Sequence, residues 1–280
     1  MAPKAAVAGP DGLSFPLFAP AHRPDRVVKA RASGASCVIA DLEDAVAPDL
    51  KDAARASLAQ QLGAPAGLPL YVRINALGTA WFEADLAMVT ACGAAAIVLP
   101  KAEDPEYAAQ LKQRLGAGVQ LIGLVETVKG IAQARALAQV FDRLHFGSLD
   151  YAISLDCAHT KQALAHARAE LVLAAALARK PAPIDGVTPD AHDGAQVTEQ
   201  ARYSCEMGFK GKLLIHPAQI EPAKQGFRPS EAEIEWAKGI IAAGASNSSG
   251  VAMYQGAMVD APVIARAHLV LERAAQTAAC

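Results

Sequence analysis

Eight short apolar runs alternate with amphipathic segments of helical length along most of the chain, and this alternation constrains the fold more than any other feature. Strands that alternate with helices are joined by crossovers and lie parallel in one sheet. The predicted strands are residues 15–19, 37–40, 70–74, 95–99, 119–125, 144–146, 184–187 and 213–215. The predicted helices are residues 24–33, 50–62, 80–92, 105–115, 131–140, 162–179 and 198–207.

Eight such units favour an α/β fold of the (β/α)8 TIM-barrel type over residues 1–229, which we expect to be the catalytic domain. An open doubly wound sheet is the alternative, but no Gly-x-Gly-x-x-Gly sequence opens a helix. Residues 230–280 are predicted to form a C-terminal lid or oligomerisation extension. It consists of a helix opened by Ser230 and Glu233, which have capping-box spacing, a loop over 244–250, a hairpin over 251–258 and a last helix over 261–275.

Composition excludes several classes of protein. The chain has 280 residues, of which 52% are hydrophobic and 19% charged, and its net charge is −2. It can therefore bury a large core, and it lacks the basic footprint of a nucleic-acid-binding protein. Residues 1–12 contain no apolar signal core, and the apolar run 171–178 is too short to cross a bilayer, so we expect a cytoplasmic protein without membrane partners. Five cysteines without a Cys-x-x-Cys pair predict reduced thiols rather than disulfides or a zinc site.

Two carboxylates, Glu126 and Asp150, directly follow the fifth and sixth predicted strands. Polar groups at the carboxyl ends of successive barrel strands meet at one edge, where barrel enzymes carry their chemistry. Hard oxygen ligands of this kind suit Mg²⁺, or Mn²⁺, better than metals that prefer His or Cys. Either residue alone could simply cap the following helix. The pair predicts a divalent metal site.

Arg73 is the only charged residue in the otherwise apolar strand Tyr71-Val-Arg-Ile-Asn75. A buried guanidinium must be paired or face a cleft, and its fork matches a carboxylate. Arg73 is therefore predicted to bind an acidic substrate, with a structural ion pair to Asp41 or Glu43 as the alternative. Asp41, Glu43 and Asp44 concentrate negative charge at the end of the second strand. There they could orient a metal-bound water or receive Arg73, while Asp44 could simply begin the next helix.

Three further residues are weaker candidates. Lys101 and His216 follow the fourth and eighth predicted strands, so either could line the site, although a solvated lysine and a satisfied histidine are equal alternatives. Asp260 lies in the predicted lid and by itself is typical of a helix N-cap.

The early segment 20–29 places Arg23, Arg26 and Lys29 around a helix start. Cations and free backbone amides at such a position suit phosphate groups, and an ordinary solvated helix face is the alternative.

A set of motifs resembles, in order, the signatures of the citrate lyase beta subunit-like CoA ester lyases of the HpcH/HpaI aldolase/citrate lyase family. The resemblance runs from about Leu17 to the end of the chain. The motifs are Leu17-Phe-Ala-Pro-Ala21, Asp41-Leu-Glu-Asp-Ala-Val-Ala-Pro48, Val72-Arg-Ile-Asn75, Val98-Leu-Pro-Lys101, Glu126-Thr127, Phe146-Gly-Ser-Leu-Asp150, Ile184-Asp-Gly-Val187, Gly208-Phe-Lys-Gly-Lys-Leu-Leu-Ile-His-Pro217 and Gly256-Ala-Met-Val-Asp260.

The resemblance implies a (β/α)8 barrel that cleaves or forms a carbon–carbon bond in a 3-hydroxyacyl-CoA thioester such as citryl-CoA or malyl-CoA. It implies that Glu126 and Asp150 hold Mg²⁺ and that Arg73 binds the carboxylate and carbonyl end of the substrate. It also implies that Asp260 acts from the lid of a neighbouring subunit in a trimer or a multiple of it. One departure is visible: the family often begins its first strand Arg-Ser-x-Leu-Phe, whereas Ser14 and Phe15 stand here, so a basic residue usual near the CoA phosphates is missing.

Two other functions remain open. One is a CoA-independent, pyruvate-type aldolase that uses the same metal and arginine. Those relatives usually carry a histidine after the second strand, where this chain has Glu43 and Asp44. The other is a noncatalytic barrel subunit that only binds a ligand, which the presence of Arg73, Glu126 and Asp150 together disfavours.

Overall fold

A computed structural model describes residues 12–62, 68–116, 118–245 and 252–279. Residues 1–11 of the N-terminal segment, residues 246–250 of the predicted loop, Val251 of the predicted hairpin and Cys280 lie outside the described residues.

Six parallel strands form one curled sheet in sequential order. Each strand pairs with its neighbours along the chain, for example Leu17 with Val38 and Asp41 with Arg73. All six carboxyl ends therefore lie at the same edge. The strands are β1 Pro16–Pro20, β2 Cys37–Asp41, β3 Leu70–Arg73, β4 Ala96–Leu99, β5 Gln120–Val125 and β6 Arg143–Phe146. They coincide with the first six predicted strands to within two residues at each end.

Two extended segments link β6 back to β1. Ile184 bridges His145 of β6, Lys212 bridges Asp185, and Leu214 bridges Leu17 of β1, all in parallel. Backbone hydrogen bonds of 2.8 to 2.9 Å accompany these bridges, from Phe146 to Ile184, from Leu213 to Asp185 and from Phe18 to Leu214. The predicted seventh and eighth strands are thus isolated bridges rather than continuous ladders.

Twelve α-helices are formed by the described residues. Helices α1 to α4 are Pro24–Arg31, Lys51–Leu62, Phe82–Cys92 and Pro105–Leu115. Helices α5 to α8 are Val128–Ala132, Ala134–Val140, Ser148–Leu155 and Ala165–Leu177. Helices α9 to α12 are Gly194–Met207, Ile220–Phe227, Glu231–Ala245 and Ala261–Ala279. The sequence pattern does not predict α7 or α10, and it predicts one helix over 131–140 where the structure has α5 and α6.

The missed helices have physical explanations. Helix α7 follows β6 after the single residue Gly147. Glycine has no side chain that could cap the helix, so the sequence contains no N-cap signal at this position. Helix α10 contains Pro222 and Gly226, which favour a loop. Pro222 lies in the first turn, where a proline is tolerated, and a Cβ at position 226 would press on Ala201 of α9, so Gly226 permits close helix packing.

Successive strand residues point to opposite faces of the sheet, and both faces are packed. Val38 and Ala40 lie in the large cluster shared with the helices, whereas Ile39, Val98 and Leu124 belong to a smaller cluster on the other face. Both sets are nearly or fully buried. A sheet packed on both faces explains why its strands are continuous apolar runs rather than alternating ones.

A buried polar network joins the bridging segments to the helix layer. Lys212 donates to the carbonyl of Gly186 at 2.6 Å, and the Nε of Arg168 on α8 contacts Asp185 at 3.0 Å. The hydroxyl of Ser204 on α9 also donates to Asp185. Burial, offset in part by Asp185, lowers the pKa of Lys212 to about 8. Removing any one partner would leave an uncompensated buried group, so the network fixes the positions of these segments.

The C-terminal region has its own small core. Strands β7 Ala252–Tyr254 and β8 Ala257–Val259 form the predicted hairpin, and they pack with α11 and α12 around Ile240, Val259 and Val270. The predicted capping box is present at α11: Ser230 N donates to Glu233 at 2.8 Å, and Glu233 N donates to the Ser230 hydroxyl at 3.2 Å. Across the described parts of the chain, no helix combines the length and apolar character needed to span a membrane.

We predict that stability falls in acid partly through His145, which is 2% exposed on β6. Burial, reinforced by Arg143, lowers the pKa of His145 from 6.5 to about 3. The unfolded chain therefore takes up this proton first, and stability present above pH 6.5 is lost as pH falls towards 3, at up to about 1.4 kcal/mol per pH unit. Denaturant unfolding of the wild type and His145→Gln at several pH values measures this slope. The variant should be less sensitive to pH over that window.

The control is His166→Gln, the same substitution at an exposed histidine. Identical pH slopes for wild type and His145→Gln would refute the assignment.

Candidate active site

A cleft of about 650 Å³ opens at the carboxyl ends of the strands. Its wall combines apolar side chains from the strands with charged side chains from the loops that follow them. The lining residues are Phe18, Ala19, Pro20, His22, Arg23, Arg26, Asp41, Asp44, Ala45, Arg73, Leu124, Glu126, Phe146, Gly147, Ser148, Leu149, Asp150, Val187, Leu213 and Ile215.

Asp41 and Arg73 form a bidentate ion pair at the ends of β2 and β3. Arg73 Nε and Nη2 donate to the two carboxylate oxygens of Asp41 at 2.7 and 2.6 Å. The backbone amides of Glu43 and Ala45 donate to the same carboxylate at 2.9 and 3.0 Å. The structural alternative for Arg73 is thus present, and the fork formed by Nε and Nη2 is already occupied. The third nitrogen, Nη1, lies 3.2 Å from Glu43 Oε2 and 3.4 Å from Asp44 Oδ2.

Glu43 joins this pair to Lys101. Its Oε2 lies 3.2 Å from Arg73 Nη1, and its Oε1 accepts a 2.6 Å hydrogen bond from Lys101 Nζ. Burial raises the pKa of Glu43, while Arg73 and Lys101 oppose that rise. Arg73 and Lys101 therefore hold Glu43 in place beside the cleft.

Lys101 also positions Glu126 through its backbone. Lys101 adopts φ 48°, in the left-handed region that few non-glycine residues occupy, and its amide donates to Glu126 Oε1 at 2.8 Å. Glu126 is only 2% exposed, and no group in the described structure hydrogen-bonds its Oε2. Burial, followed by the neighbouring charges of Glu43 and Asp150, raises the pKa of Glu126 to about 8. This carboxylate has one oxygen fixed and one without a partner.

Gly147 leaves the space that Glu126 occupies. Its backbone amide donates to Val125 at 3.0 Å, which joins the ends of β5 and β6. A Cβ at position 147 would collide with the Cβ and Oε2 of Glu126. Asp150 follows three residues later, exposed in the first turn of α7, and lines the same cleft.

The residues fit a hard divalent cation. Glu126 and Asp150 line one cleft, the charge of Asp150 helps to raise the pKa of Glu126, and no described group hydrogen-bonds Glu126 Oε2. No group of three or more His, Cys, Asp or Glu residues suited to a metal is present in the described part of the chain. Two carboxylates with water and substrate completing the shell is the arrangement that Mg²⁺ favours.

Basic residues near the start of α1 also line the cleft. Arg26 of α1 is exposed and lines the cleft. Arg23 also lines it, but its guanidinium is held by Asp25 at 2.9 and 3.0 Å. Lys29 is exposed and is not among the lining residues. Arg26 is therefore the rim cation best placed to meet an anionic group.

Two predicted site residues lie elsewhere in this chain. Asp260 is half-buried at the start of α12, where its Oδ1 accepts a 3.2 Å hydrogen bond from the amide of Val263. His216 Nδ1 accepts from the amide of Ala218 at 3.2 Å and opens a short 3-10 turn. Neither side chain lines the cleft, so a role for Asp260 requires a second copy of the chain.

Three polar residues of the cleft region are not among the site residues that the sequence predicts. They are His22, Ser148 and His159. Ser148 is buried at the cleft wall and lies 2.9 Å from Nε2 of His159. His22 lines the cleft, and its buried Nδ1 has no partner in the described structure. Ser148 lies within a strand-end motif that could have indicated it. His159 lies eleven residues further on, in a segment without a strand or helix pattern.

The chain is similar in sequence and fold to several known proteins. Residues 14–217 match the HpcH/HpaI aldolase/citrate lyase family. A citrate lyase subunit beta-like protein of Mycobacterium tuberculosis is 35% identical over 269 residues, which cover 93% of this chain and 95% of that protein. The human mitochondrial citramalyl-CoA lyase is 30% identical over 280 residues, covering 90% of this chain and 82% of the human enzyme.

A crystal structure of CitE from Mycobacterium tuberculosis, in complex with magnesium, acetoacetate and coenzyme A, is similar in fold. The TM-score is 0.83 at 33% sequence identity, and the match covers 94% of this chain and 98% of that one.

We predict that Gly147→Ala displaces Glu126, because the added methyl group would occupy the space of its side chain. Binding of Mg²⁺ or Mn²⁺ by the purified protein should weaken at least about tenfold, comparable to the loss of a group that orients a metal ligand. Titration calorimetry measures this directly.

The matched control is Gly194→Ala, where the new Cβ would meet only the edge of Pro222, at 3.3 Å. Equal metal affinity in the Gly147→Ala variant and the wild type would contradict the prediction.

Proposed function

The chain belongs to the HpcH/HpaI aldolase/citrate lyase family, and from this premise we propose that it is a Mg²⁺-dependent carbon–carbon lyase that cleaves or forms a 3-hydroxyacyl-CoA thioester of the citryl-CoA or malyl-CoA type. The relatives matched include lyases named for citrate and for citramalyl-CoA.

One observation carries the proposal. Glu126 is buried in the cleft, no group in the described structure hydrogen-bonds its Oε2, and Asp150 lines the same cleft. A buried carboxylate oxygen without a partner is costly, and a bound cation would offset that cost. A similar structure holds magnesium together with acetoacetate and coenzyme A, which supports Mg²⁺ and a CoA thioester as the ligands here.

The proposed reaction is a retro-Claisen cleavage. The 3-hydroxyl group loses its proton, the bond between C2 and C3 breaks, a keto acid leaves, and the thioester enolate takes up a proton at C2. A bound Mg²⁺ would supply Lewis-acid polarisation of the substrate's oxygens. The protein must then orient the substrate, exclude water and supply a group that moves protons.

Roles follow from the positions of the side chains. Glu126 and Asp150 would hold Mg²⁺, and the Lys101 amide fixes the orientation of Glu126. Arg73 would bind the acidic end of the substrate through Nη1, in place of the longer contacts of Nη1 with Glu43 and Asp44, since Asp41 occupies Nε and Nη2. Glu43, which Arg73 and Lys101 hold in place, would be a catalytic residue at the end of the substrate where the carbon–carbon bond breaks.

The exposed Arg26 would meet the CoA phosphates at the rim and compensate for the basic residue that is missing at Ser14 and Phe15. An arginine suits this role because its planar fork matches phosphate oxygens.

The proposal extends to the architecture. Residues 1–229 would form a (β/α)8 TIM barrel, closed by the bridges from His145 through Ile184 and Lys212 to Leu17. Residues 230–280 would form the lid and oligomerisation extension, supported by the separate apolar cluster of α11, α12 and the hairpin.

The lid would cover the cleft of a neighbouring subunit in a trimer or a multiple of it. Met253, Met258 and Leu269 are 63%, 60% and 60% exposed, which gives this extension an apolar surface suited to a second copy. Asp260, which does not line the cleft of its own chain, would then reach that of a neighbour and move protons there.

We expect Mg²⁺-dependent cleavage when purified protein is assayed against malyl-CoA, citramalyl-CoA and citryl-CoA. Glu126→Gln and Asp150→Asn should each lower kcat/KM on the order of a hundredfold or more, since even partners that only orient a metal ligand contribute 10–100-fold. EDTA should abolish turnover, and Mg²⁺ or Mn²⁺ should restore it.

Full activity in excess EDTA would refute the dependence of turnover on a metal. Cleavage of a free hydroxy keto acid but of no thioester would instead favour the CoA-independent aldolase. Metal and ligand binding without any turnover would favour a noncatalytic subunit.

We predict that Asp260→Asn lowers kcat and leaves the affinity for Mg²⁺ unchanged. The reason is that the proposed role of Asp260 is proton transfer and not metal binding. Mixed oligomers of Asp260→Asn and Glu126→Gln subunits should recover part of the activity lost by each alone. Some shared sites would then contain both an intact Asp260 and an intact Glu126. The second variant is Glu126→Gln rather than an Arg73 variant because Arg73 also stabilises Asp41.

Subunit mixing must be verified by mass spectrometry. A fully active monomer, or verified mixed oligomers that recover nothing, would exclude a shared site.

A further inference from the structure

A second cavity, which we call the basal cavity, lies at the opposite edge of the sheet from the cleft. Its volume is about 220 Å³. Its wall includes Cys37, Gln120 and Arg143, which are the first residues of β2, β5 and β6. The cavity therefore lies at the amino-terminal ends of the strands, away from Glu126 and Asp150, and the proposed lyase chemistry does not use it.

His145 places an unsatisfied polar atom at this cavity. It lines the wall and is 2% exposed, and its Nδ1 has no hydrogen-bond partner in the described structure. A buried ring nitrogen without a partner costs free energy, so such an atom beside an open volume indicates a bound group that completes its hydrogen bonding. The neutral imidazole can donate from either nitrogen, according to its tautomer.

The charges around the cavity favour an anion. Arg143 and Lys180 line it, and the Nε of Arg143 donates to the neutral carbonyl of Ala182 at 2.8 Å. Lys180 is half-buried, and no carboxylate of the described residues pairs with it. Asp142 is the acidic residue of the wall, but Lys112 at 2.7 Å and the amide of Leu121 at 2.9 Å satisfy its two oxygens. The net charge of the residues that line the cavity is therefore positive.

The other polar groups of the wall are neutral. Burial raises the pKa of Cys37 to about 12 and that of Tyr71 further above its usual value. The Tyr71 hydroxyl donates to Gln120 Oε1 at 3.3 Å. Neither residue brings a negative charge that would oppose an anion.

We propose that the basal cavity binds a small oxyanion, a carboxylate or a phosphate, through Arg143, Lys180 and His145. A cavity of about 220 Å³ admits a molecule of the size of acetate or phosphate. Both probes share the chemistry that this wall recognises: oxygens with negative charge that accept charge-assisted hydrogen bonds.

The imidazole NMR signal of His145 gives a readout that is local to the cavity. The full chain is titrated with acetate and, separately, with inorganic phosphate, in EDTA so that no divalent metal is bound. His145→Gln identifies the signal by its loss. We expect a saturable shift of the His145 signal with at least one probe, and the probe that binds distinguishes a carboxylate site from a phosphate site.

Lys180→Gln should weaken this binding at least about tenfold, the effect of losing about 1.4 kcal/mol from one charge-assisted contact. The matched control is Arg179→Gln, which removes the same charge from the adjacent, exposed residue outside the cavity wall. It should change the affinity by less than about twofold, because an exposed charge is largely screened.

Three results would overturn the proposal. One is the absence of saturation up to about 100 mM of either probe, a concentration well above a millimolar Kd. Another is an equal loss of affinity in Lys180→Gln and Arg179→Gln, which would indicate general electrostatics. The third is a shift of His22, which lines the opposite cleft, without a shift of His145, since the anion would then bind at the other end of the sheet.

Discussion

The bidentate ion pair between Asp41 and Arg73 determines the electrostatics of the cleft. It is almost completely buried, and Asp41 occupies two of the three guanidinium nitrogens. Lys101, the neighbouring cation, is bound to Glu43. Among the described residues, no lysine or arginine forms an ion pair with Glu126 or Asp150, and burial raises the pKa of Glu126 to about 8. The proposed divalent cation would compensate the charge that burial disfavours at this edge of the sheet.

Backbone geometry fixes the position of the metal-binding candidates more than side-chain packing does. Glu126 follows β5 directly, its Oε1 is held by the amide of Lys101, and its side chain occupies the space left by Gly147. Both supports come from loops at the ends of neighbouring strands. Because parallel pairing aligns those strand ends, a site assembled from distant parts of the sequence is held by rigid elements.

The two edges of the sheet differ in charge. Four carboxyl groups and three arginines line the cleft at the carboxyl ends, whereas Arg143 and Lys180 outnumber Asp142 at the basal cavity. The apolar layer of Ile39, Val98 and Leu124 lies between them and keeps these charges apart. This separation allows one sheet to favour a cation at one end and an anion at the other without mutual neutralisation.

The amino-acid sequence by itself determined the periodic elements and which carboxylates directly follow the strands. The apolar runs of β1 to β6 were continuous enough to be predicted because both faces of the sheet are buried, and the Ser230 to Glu233 spacing located the start of α11 because capping is a local interaction. The sequence also identified Glu126 and Asp150 as strand-end carboxylates. Parallel topology then required them to share one edge.

Tertiary structure alone decided the remaining features, because they depend on contacts between residues far apart in the chain. From the sequence alone, Arg73 could either bind a substrate carboxylate or form a structural ion pair. Only the pairing of β2 with β3 shows that Asp41 binds the guanidinium group of Arg73. The contact between Ser148 and His159 and the position of Asp260 outside its own cleft are likewise three-dimensional facts. Helix α10 was not predicted because Pro222 and Gly226 have low helix propensity. Close packing of α10 against α9 requires a residue without a side chain at position 226.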